Sequence, residues 1–411
     1  MKNLYGKEDF NPAPIPMNSL AQRGILVLAV LILVNLLSCT GGNRLLSERL
    51  VSTNDRTKRS AFSEMNKLDI PSREKYLAIM KEMLRDKKPD NRVLAADSLG
   101  RMGPAAGEAV PDLIRVLNDE EASVHLRAVS ALAEIGTAAV PALIAALNHQ
   151  DTTIRCGAVD ALGVMGPGAK GAVPALVILL SDQDYPLSRH SASALGLIGP
   201  AAVPALTQVA KSGNGRTIDT ALTAFSVLKA EPGIVHKLVQ LMADTNESPS
   251  VRSFSAKALG KMQEKAQEAM PELAHALDDD HNEVRIAAGW ALVQMGPAAI
   301  PTLKDSLAST SPRERSGAAN ALGCMGPAAD DAVPLLLQST RDENPVVRVE
   351  AISAVEKIQT TSRSAVKALI RVLEEDPDGF VRLGAARALN KIGTYDAKDA
   401  LDRYNKKNGR D

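Results

Sequence analysis

Between Ala321 and Pro334 the sequence reads A-L-G-C-M-G-P-A-A-D-D-A-V-P. Ala-Leu closes one apolar helical run, Gly-Pro breaks it, and Ala-Val-Pro opens the next. A glycine ends a helix by accepting a left-handed backbone that other residues resist. A proline suits the first turn of the following helix, where its missing N–H has no partner to lose and its fixed φ is already helical. The stretch therefore encodes a helix, a corner and a second helix.

The corner recurs along the chain. With its second glycine as a marker, copies fall at Gly103, Gly136, Gly166, Gly199, Gly296, Gly326 and Gly393. Ala230, Gln263 and Gln359 fill the same slot in worn copies, and successive markers lie 30 to 34 residues apart. Such a period predicts an all-α solenoid, an α-α superhelix of about ten helix pairs, each too small to bury its apolar face alone. The spread in the period has a local cause. The long corners, as from Gly103 to Pro111, hold three more residues than the short ones, as from Gly136 to Pro141. Before each corner, Ala131, Ala161, Ala194, Ala258, Ala291, Ala321, Ala354 and Ala388 share one slot, which lets helices approach closely. Beside them, Leu99, Leu132, Leu162, Leu195, Leu259, Leu292, Leu322 and Leu389 are the expected core knobs.

The pattern V-R-x-x-A-x-x-A-L-x-x-M-G-P…A-V-P-x-L resembles the HEAT repeat, in particular the short type also called the phycocyanobilin-lyase HEAT-like repeat. Val284-Arg285 leading to Ala291-Leu292 and Gly296-Pro297, and Val347-Arg348 leading to Ala354, carry the resemblance, which covers residues 71–407. It implies a fold and says little about activity, because such arrays scaffold many unrelated functions.

Composition narrows the function classes. Lysine plus arginine equals aspartate plus glutamate, 48 each, whereas a nucleic-acid clamp needs a clustered basic surface. The chain is therefore read as binding no nucleic acid. Aromatic residues make up only 3%, and no strand-like alternation appears. Of the three cysteines, Cys156 and Cys324 lie five repeats apart, too far to bridge in an extended array.

The third, Cys39, sits at the end of an apolar run. Arg23 precedes the stretch from Gly24 to Leu37, the layout of a secretory signal, and the run is short of the roughly 20 apolar residues that span a bilayer. Leu36-Leu37-Ser38-Cys39 resembles a bacterial lipobox, which implies acylation of Cys39 after removal of residues 1–38. The competing reading is a signal or anchor with an incidental cysteine. Met17 is an alternative start that gives a more usual signal length. On the lipobox reading the protein is exported and lipid-anchored to a bacterial membrane, periplasmic or on the outer surface. Residues 39–70 are expected to form a flexible tether, with a transient helix through Asn43 to Val51, reaching on the order of 30 Å ahead of repeats that begin at Pro71.

Candidate chemistry is sparse. An arginine recurs eleven positions before the marker, at Arg92, Arg155, Arg252, Arg285, Arg315, Arg348 and Arg382. A cation near a helix N-terminus is disfavoured by the dipole, so something specific must hold it. Asp151 with Arg155, and Asp378 with Arg382, suggest carboxylate–guanidinium ladders between repeats, which the HEAT resemblance also implies; a row of phosphate-binding arginines is the weaker alternative. No histidine is followed by glutamate, whereas the iron-dependent deoxyhypusine hydroxylases, a catalytic HEAT-like family, are marked by His-Glu pairs. His281 beside Asp278, Asp279 and Asp280 reads as a solvated loop. No metal or cofactor is expected. An enzyme of the phycobilin-lyase kind is the alternative to a non-enzymatic scaffold.

The stronger candidate is a surface. The HEAT resemblance implies that second helices line the concave face. Slots six and two before the marker lie four apart, on one side of those helices. The first slot is polar or small except at Trp290, the single tryptophan. Aromatic anchors dominate many interfaces, so Trp290 is the expected anchor of a protein or peptide site. Lys257 from the preceding repeat, Gln294 one turn on, and Phe254 on a neighbouring part of the face join it. Val164, Leu197 and Leu228 give the second slot its apolar middle. The protein is read as a monomer.

Overall fold

Every corner glycine that marks the repeat has positive φ, from +57° at Gly103 to +87° at Gly199. Among the described residues, two non-glycines do the same, Gln263 and Gln359 at φ 50° and 63°. They are the worn copies of the corner, so the backbone has kept the turn where the sequence has lost the glycine. The computed structural model describes residues 41–212, 214–228 and 232–407. Cys39 and the lipobox-like run lie outside them, as does the worn corner at Ala230.

The chain divides into two units, residues 1–138 and 139–411. The described part of the first holds α1 (Gly41–Leu50), α2 (Asp55–Met65), α3 (Ile70–Glu74), α4 (Leu77–Met83), α5 (Pro89–Gly100), α6 (Val110–Val116) and α7 (Ala122–Ile135). Helices α4/α5 and α6/α7 are complete repeat pairs. The second unit begins with α8 (Val140–Ala146), α9 (Thr152–Met165), α10 (Val173–Leu179), α11 (Tyr185–Ile198), α12 (Val203–Ser212) and α13 (Gly215–Val227). It continues with α14 (Pro232–Ala243), α15 (Pro249–Met262), α16 (Met270–His275), α17 (Asn282–Gln294), α18 (Ile300–Ser306) and α19 (Pro312–Met325). It ends with α20 (Val333–Ser339), α21 (Pro345–Ile358), α22 (Arg363–Glu375), α23 (Gly379–Ile392) and α24 (Tyr395–Lys407). Eight pairs, α8/α9 through α22/α23, make up this stack, and α24 follows the last of them.

The corners are short 3-10 turns. Long corners such as Gly103–Ala109 and Gly326–Ala332 run seven residues, and short ones such as Gly136–Ala139 and Gly296–Ala299 run four, which is the three-residue difference read from the sequence. Two stretches, Ala122–Ala146 and Thr152–Leu179, are long and apolar enough to cross a membrane by length and composition. Each is interrupted by a positive-φ glycine, Gly136 or Gly166. All eight leucine knobs are fully buried, and the alanine slot beside them is buried throughout.

Residues 41–65 depart from the expected tether. They form α1 and α2, which bury Leu46, Leu50, Ala61, Phe62 and Met65. Asn54 caps α2 by accepting from the Thr57 N–H, Arg49 pairs with Glu64 at 2.6 Å, and Lys88 reaches Asp55 at 2.8 Å. The segment is polar on average, which is what the tether reading weighed. Its few apolar residues recur at helical spacing, and that spacing decides the outcome. Helix α3 does begin at the expected place, with Pro71 in its first turn, and Tyr76, Ile79 and Met83 are buried as expected. At the other end, α24 buries Ala397 and Ala400 under an otherwise charged surface.

Candidate functional site

The recurring arginines are held by acceptors in front of their own helices. In the second unit, Arg315 Nη1 donates to the carbonyls of Ser309 (2.9 Å) and Thr310 (3.1 Å), residues of the loop that leads into α19. Its Nε and Nη2 donate to both carboxylate oxygens of Asp342, at 2.7 and 2.8 Å, in the corresponding loop of the next repeat. Arg252 grips Asp279 (3.2 and 2.9 Å) and Arg348 grips Asp376 (2.8 and 3.0 Å) in the same way. Arg92 does so with Asp119 in the first unit, at 2.6 Å for both bonds. The clamp answers the dipole objection, because carbonyls and a carboxylate surround the charge.

The ladder is real, but its carboxylates are other than those expected. Asp151 and Asp378 cap their own helices, accepting from the N–H of Thr153 and of Phe380. Arg155 meets its neighbouring repeat through Asp184 at a looser 3.7 Å. Arg285 and Arg382 make the carbonyl bonds and no ion pair among the described residues. Burial pushes the carboxyls of Asp279 and Asp342 up. Hydrogen bonds from Arg252 and Arg315, and from the N–H groups of His281 and Asn344, outweigh it and hold both below the ordinary carboxylate value. The hydrogen bond to Asp342 in turn raises Arg315. His281 belongs to this structural network, with Nδ1 3.2 Å from Arg252 Nη2. Among the described residues no cluster of His, Cys, Asp or Glu has the makings of a metal site.

The second helices of four successive repeats, α11, α13, α15 and α17, enclose a groove of about 790 Å³. Trp290 on α17 is half-buried at one end. A Cβ placed on Gly260 would lie 2.9 Å from Trp290 Cζ3, so the ring rests on the bare backbone of α15. Lys261 lies over the ring, 5.2 Å from its centroid, within cation–π range. Tyr185 on α11, 56% exposed, lines the other end, with the guanidinium carbons of Arg189 and Arg216 at 5.7 and 6.0 Å from its ring centroid. Lys257 and Ile286 complete the wall, and Asp219 on α13 is the carboxylate among the lining residues.

Other expected site residues fall elsewhere. Phe254 is buried in the core, where its ring meets Phe225 edge-on at 5.8 Å and 77°, and it cannot touch a partner. Leu228 is fully buried as well, because α13 ends at Val227 and the chain turns extended at the next residue. Val164 and Leu197 are exposed on their second helices but outside the groove, and half-buried Gln294 is also outside its lining. Trp290 and Lys257 are brought together as expected. Tyr185, Arg189, Arg216 and Ile286 were missed, since they occupy slots ten and fourteen before the marker rather than the two that were compared. Burial, followed by the charges of Asp184 and Asp160, pushes the Cys156 thiol up, away from the thiolate that a nucleophile needs.

A family model described as HEAT repeats matches residues 76–148, 140–226, 235–323, 300–390 and 333–410. A HEAT repeat-containing taxis protein of Halobacterium salinarum is 31% identical over 164 residues, which covers 35% of this chain and 39% of that relative. Among solved structures, an engineered protein matches 85% of this chain over 98% of its own, at 21% identity and a TM-score of 0.29. Kap121p bound to Pho4p matches 85% of this chain over 45% of its own, at 16% identity and a TM-score of 0.37.

Proposed function

This chain belongs to the HEAT-repeat family, and from that premise we propose that it is a non-enzymatic scaffold that holds a protein partner against its second helices. The groove bounded by Tyr185 and Trp290 carries the reading. Trp290 stands in a slot that nine other repeats fill with polar or small residues, so the stack does not require an aromatic there. A large side chain kept at such a position, beside exposed Ile286 and Tyr185, is the composition of an interface centre rather than of a solvated face. A photo-reactive amino acid at Thr223, within the groove, should yield a discrete crosslinked polypeptide in intact cells. The same probe at Ile178, exposed on the first helix α10, should not. Equal capture from both positions would refute the docking face.

We further propose that the protein is exported and held to a bacterial membrane through acylated Cys39, on the strength of the Leu36-Leu37-Ser38-Cys39 run. With α1 starting at Gly41, the folded chain would then begin two residues from the lipid rather than at the end of a long tether. Wild type should incorporate labelled fatty acid and Cys39→Ser should not; unmodified wild-type protein in the cytoplasm would end this reading. The catalytic alternative, which rests on the resemblance of the repeat pattern to the phycocyanobilin-lyase type, differs in one simple readout, a visible absorbance from bound pigment.

A further inference from the structure

We infer that the groove between Tyr185 and Trp290 recognises an extended acidic peptide segment that also carries an apolar side chain. This rests on the docking reading above and specifies its occupant. The chain as a whole is electrically neutral, with 48 basic and 48 acidic residues, so a local imbalance is informative. The groove wall holds Arg189, Arg216, Lys257 and Lys261 against the single carboxylate of Asp219. None of these four cations makes an ion pair among the described residues. Arg216 donates only to the carbonyls of Asp182 and Gln183, while Arg189 and Lys261 lie over aromatic rings. Elsewhere in the same unit, three arginines of the repeat, Arg252, Arg315 and Arg348, are matched with aspartates, and Arg285 and Arg382 donate to backbone carbonyls instead. Cations left unmatched around a concave surface favour an occupant of opposite charge. Ile286 (61% exposed), Trp290 and Tyr185 offer that occupant an apolar seat between the charges.

A single-stranded nucleic acid would also welcome cations and aromatics, because bases stack on exposed ring faces. Here both rings already carry cations on a face, Arg189 and Arg216 on Tyr185 and Lys261 on Trp290, and Trp290 rests on Gly260 besides. Stacking would have to displace those contacts, whereas carboxylates can approach the same cations from the open side. Peptide carboxylates therefore fit better than bases.

Trp290 is the single tryptophan, so its fluorescence reports on the groove alone. The full chain would be titrated with a short peptide alternating glutamate and leucine, with lysine–leucine and glutamate–serine peptides of equal length, and with oligo-dT. The glutamate–leucine peptide should change Trp290 emission saturably, and rising salt should weaken it. The other probes should bind at least about tenfold more weakly, a difference of about 1.4 kcal/mol. Charge reversal by Arg189→Glu or Lys257→Glu should lower affinity by a further factor of about ten, while Lys257→Arg should retain it. Circular dichroism of each variant separates lost binding from lost folding. Preference for oligo-dT would overturn the inference in favour of nucleic acid, and so would indifference to charge reversal or failure of the glutamate–leucine peptide to bind. If crosslinking from Thr223 still captures a partner in any of those cases, the docking face stands and only its acidic occupant falls. If both fail, the docking face falls too.

Discussion

A guanidinium near a helix N-terminus is an electrostatic liability unless acceptors surround it, and Asp342 is the acceptor whose removal would show this most clearly. Its carboxylate takes two hydrogen bonds from Arg315 and one from the Asn344 N–H. Both side chains are nearly buried, at 10% and 11% exposure, so an unpaired charge here would be poorly solvated. Asp342→Asn keeps a side-chain oxygen to accept from the Asn344 N–H, but beside the Ser309 and Thr310 carbonyls it leaves Arg315 only one nearby carboxylate, the exposed Glu343 at 3.6 Å. The expected cost is about 3 kcal/mol at neutral pH. The pH dependence has a definite sign. A carboxyl whose folded value lies below its unfolded value of about 3.9 contributes stability that is fully present above that value, and the contribution is lost as pH falls through the folded value. Asp279 shares this shift. The gap between wild type and Asp342→Asn in urea unfolding should therefore be full at pH 7 and shrink below about pH 4. A gap unchanged between pH 7 and pH 3 would mean that the pair does not act through charge.

At the scale of helices and corners, legibility followed repetition. The corner could be read even where its glycine was gone, because Gln263 and Gln359 fell on the period and adopt the same positive φ. Close approach was legible too. A Cβ on Gly260 would lie 2.7 Å from Ala291 Cα, and one on Gly323 would lie 2.8 Å from Ala354 Cα, so the bare slot of one second helix receives the alanine slot of the next. What a single repeat did alone was harder to read. Phe254 looked like a surface residue by its offset from the marker, yet Ala221 and Ala287 fill that slot in the neighbouring repeats and are buried. Small neighbours leave room for a ring, and Phe225 provides its partner. That signal was present in the sequence and needed comparison of a third slot. Helices α1 and α2 repeat nothing, so only their weak apolar spacing announced them. Trp290 was visible for the opposite reason, as a departure from a repeated polar slot. The cations around it come from three other helices, and only the stacking of α11, α13, α15 and α17 brings them together.

In the second unit as a whole, stability should be distributed along the stack rather than held in one centre. Each second helix packs chiefly on its own first helix and on the second helices before and after it, so energetic coupling decays over a few repeats. Leu292 on α17 is fully buried among such contacts. Leu292→Ala removes its packed methyl groups and leaves a cavity, at a cost of about 2–5 kcal/mol. A globular core would spread that loss through all its helices. Here the loss should appear in α15 to α19, the helices adjoining the lesion, while α9 to α11 and α22 to α23 keep their protection. Hydrogen exchange resolved by peptide can follow each helix in turn. Uniform loosening from residue 139 to residue 407 would show that the unit behaves as one cooperative body, and the picture of independent neighbouring repeats would have to be given up.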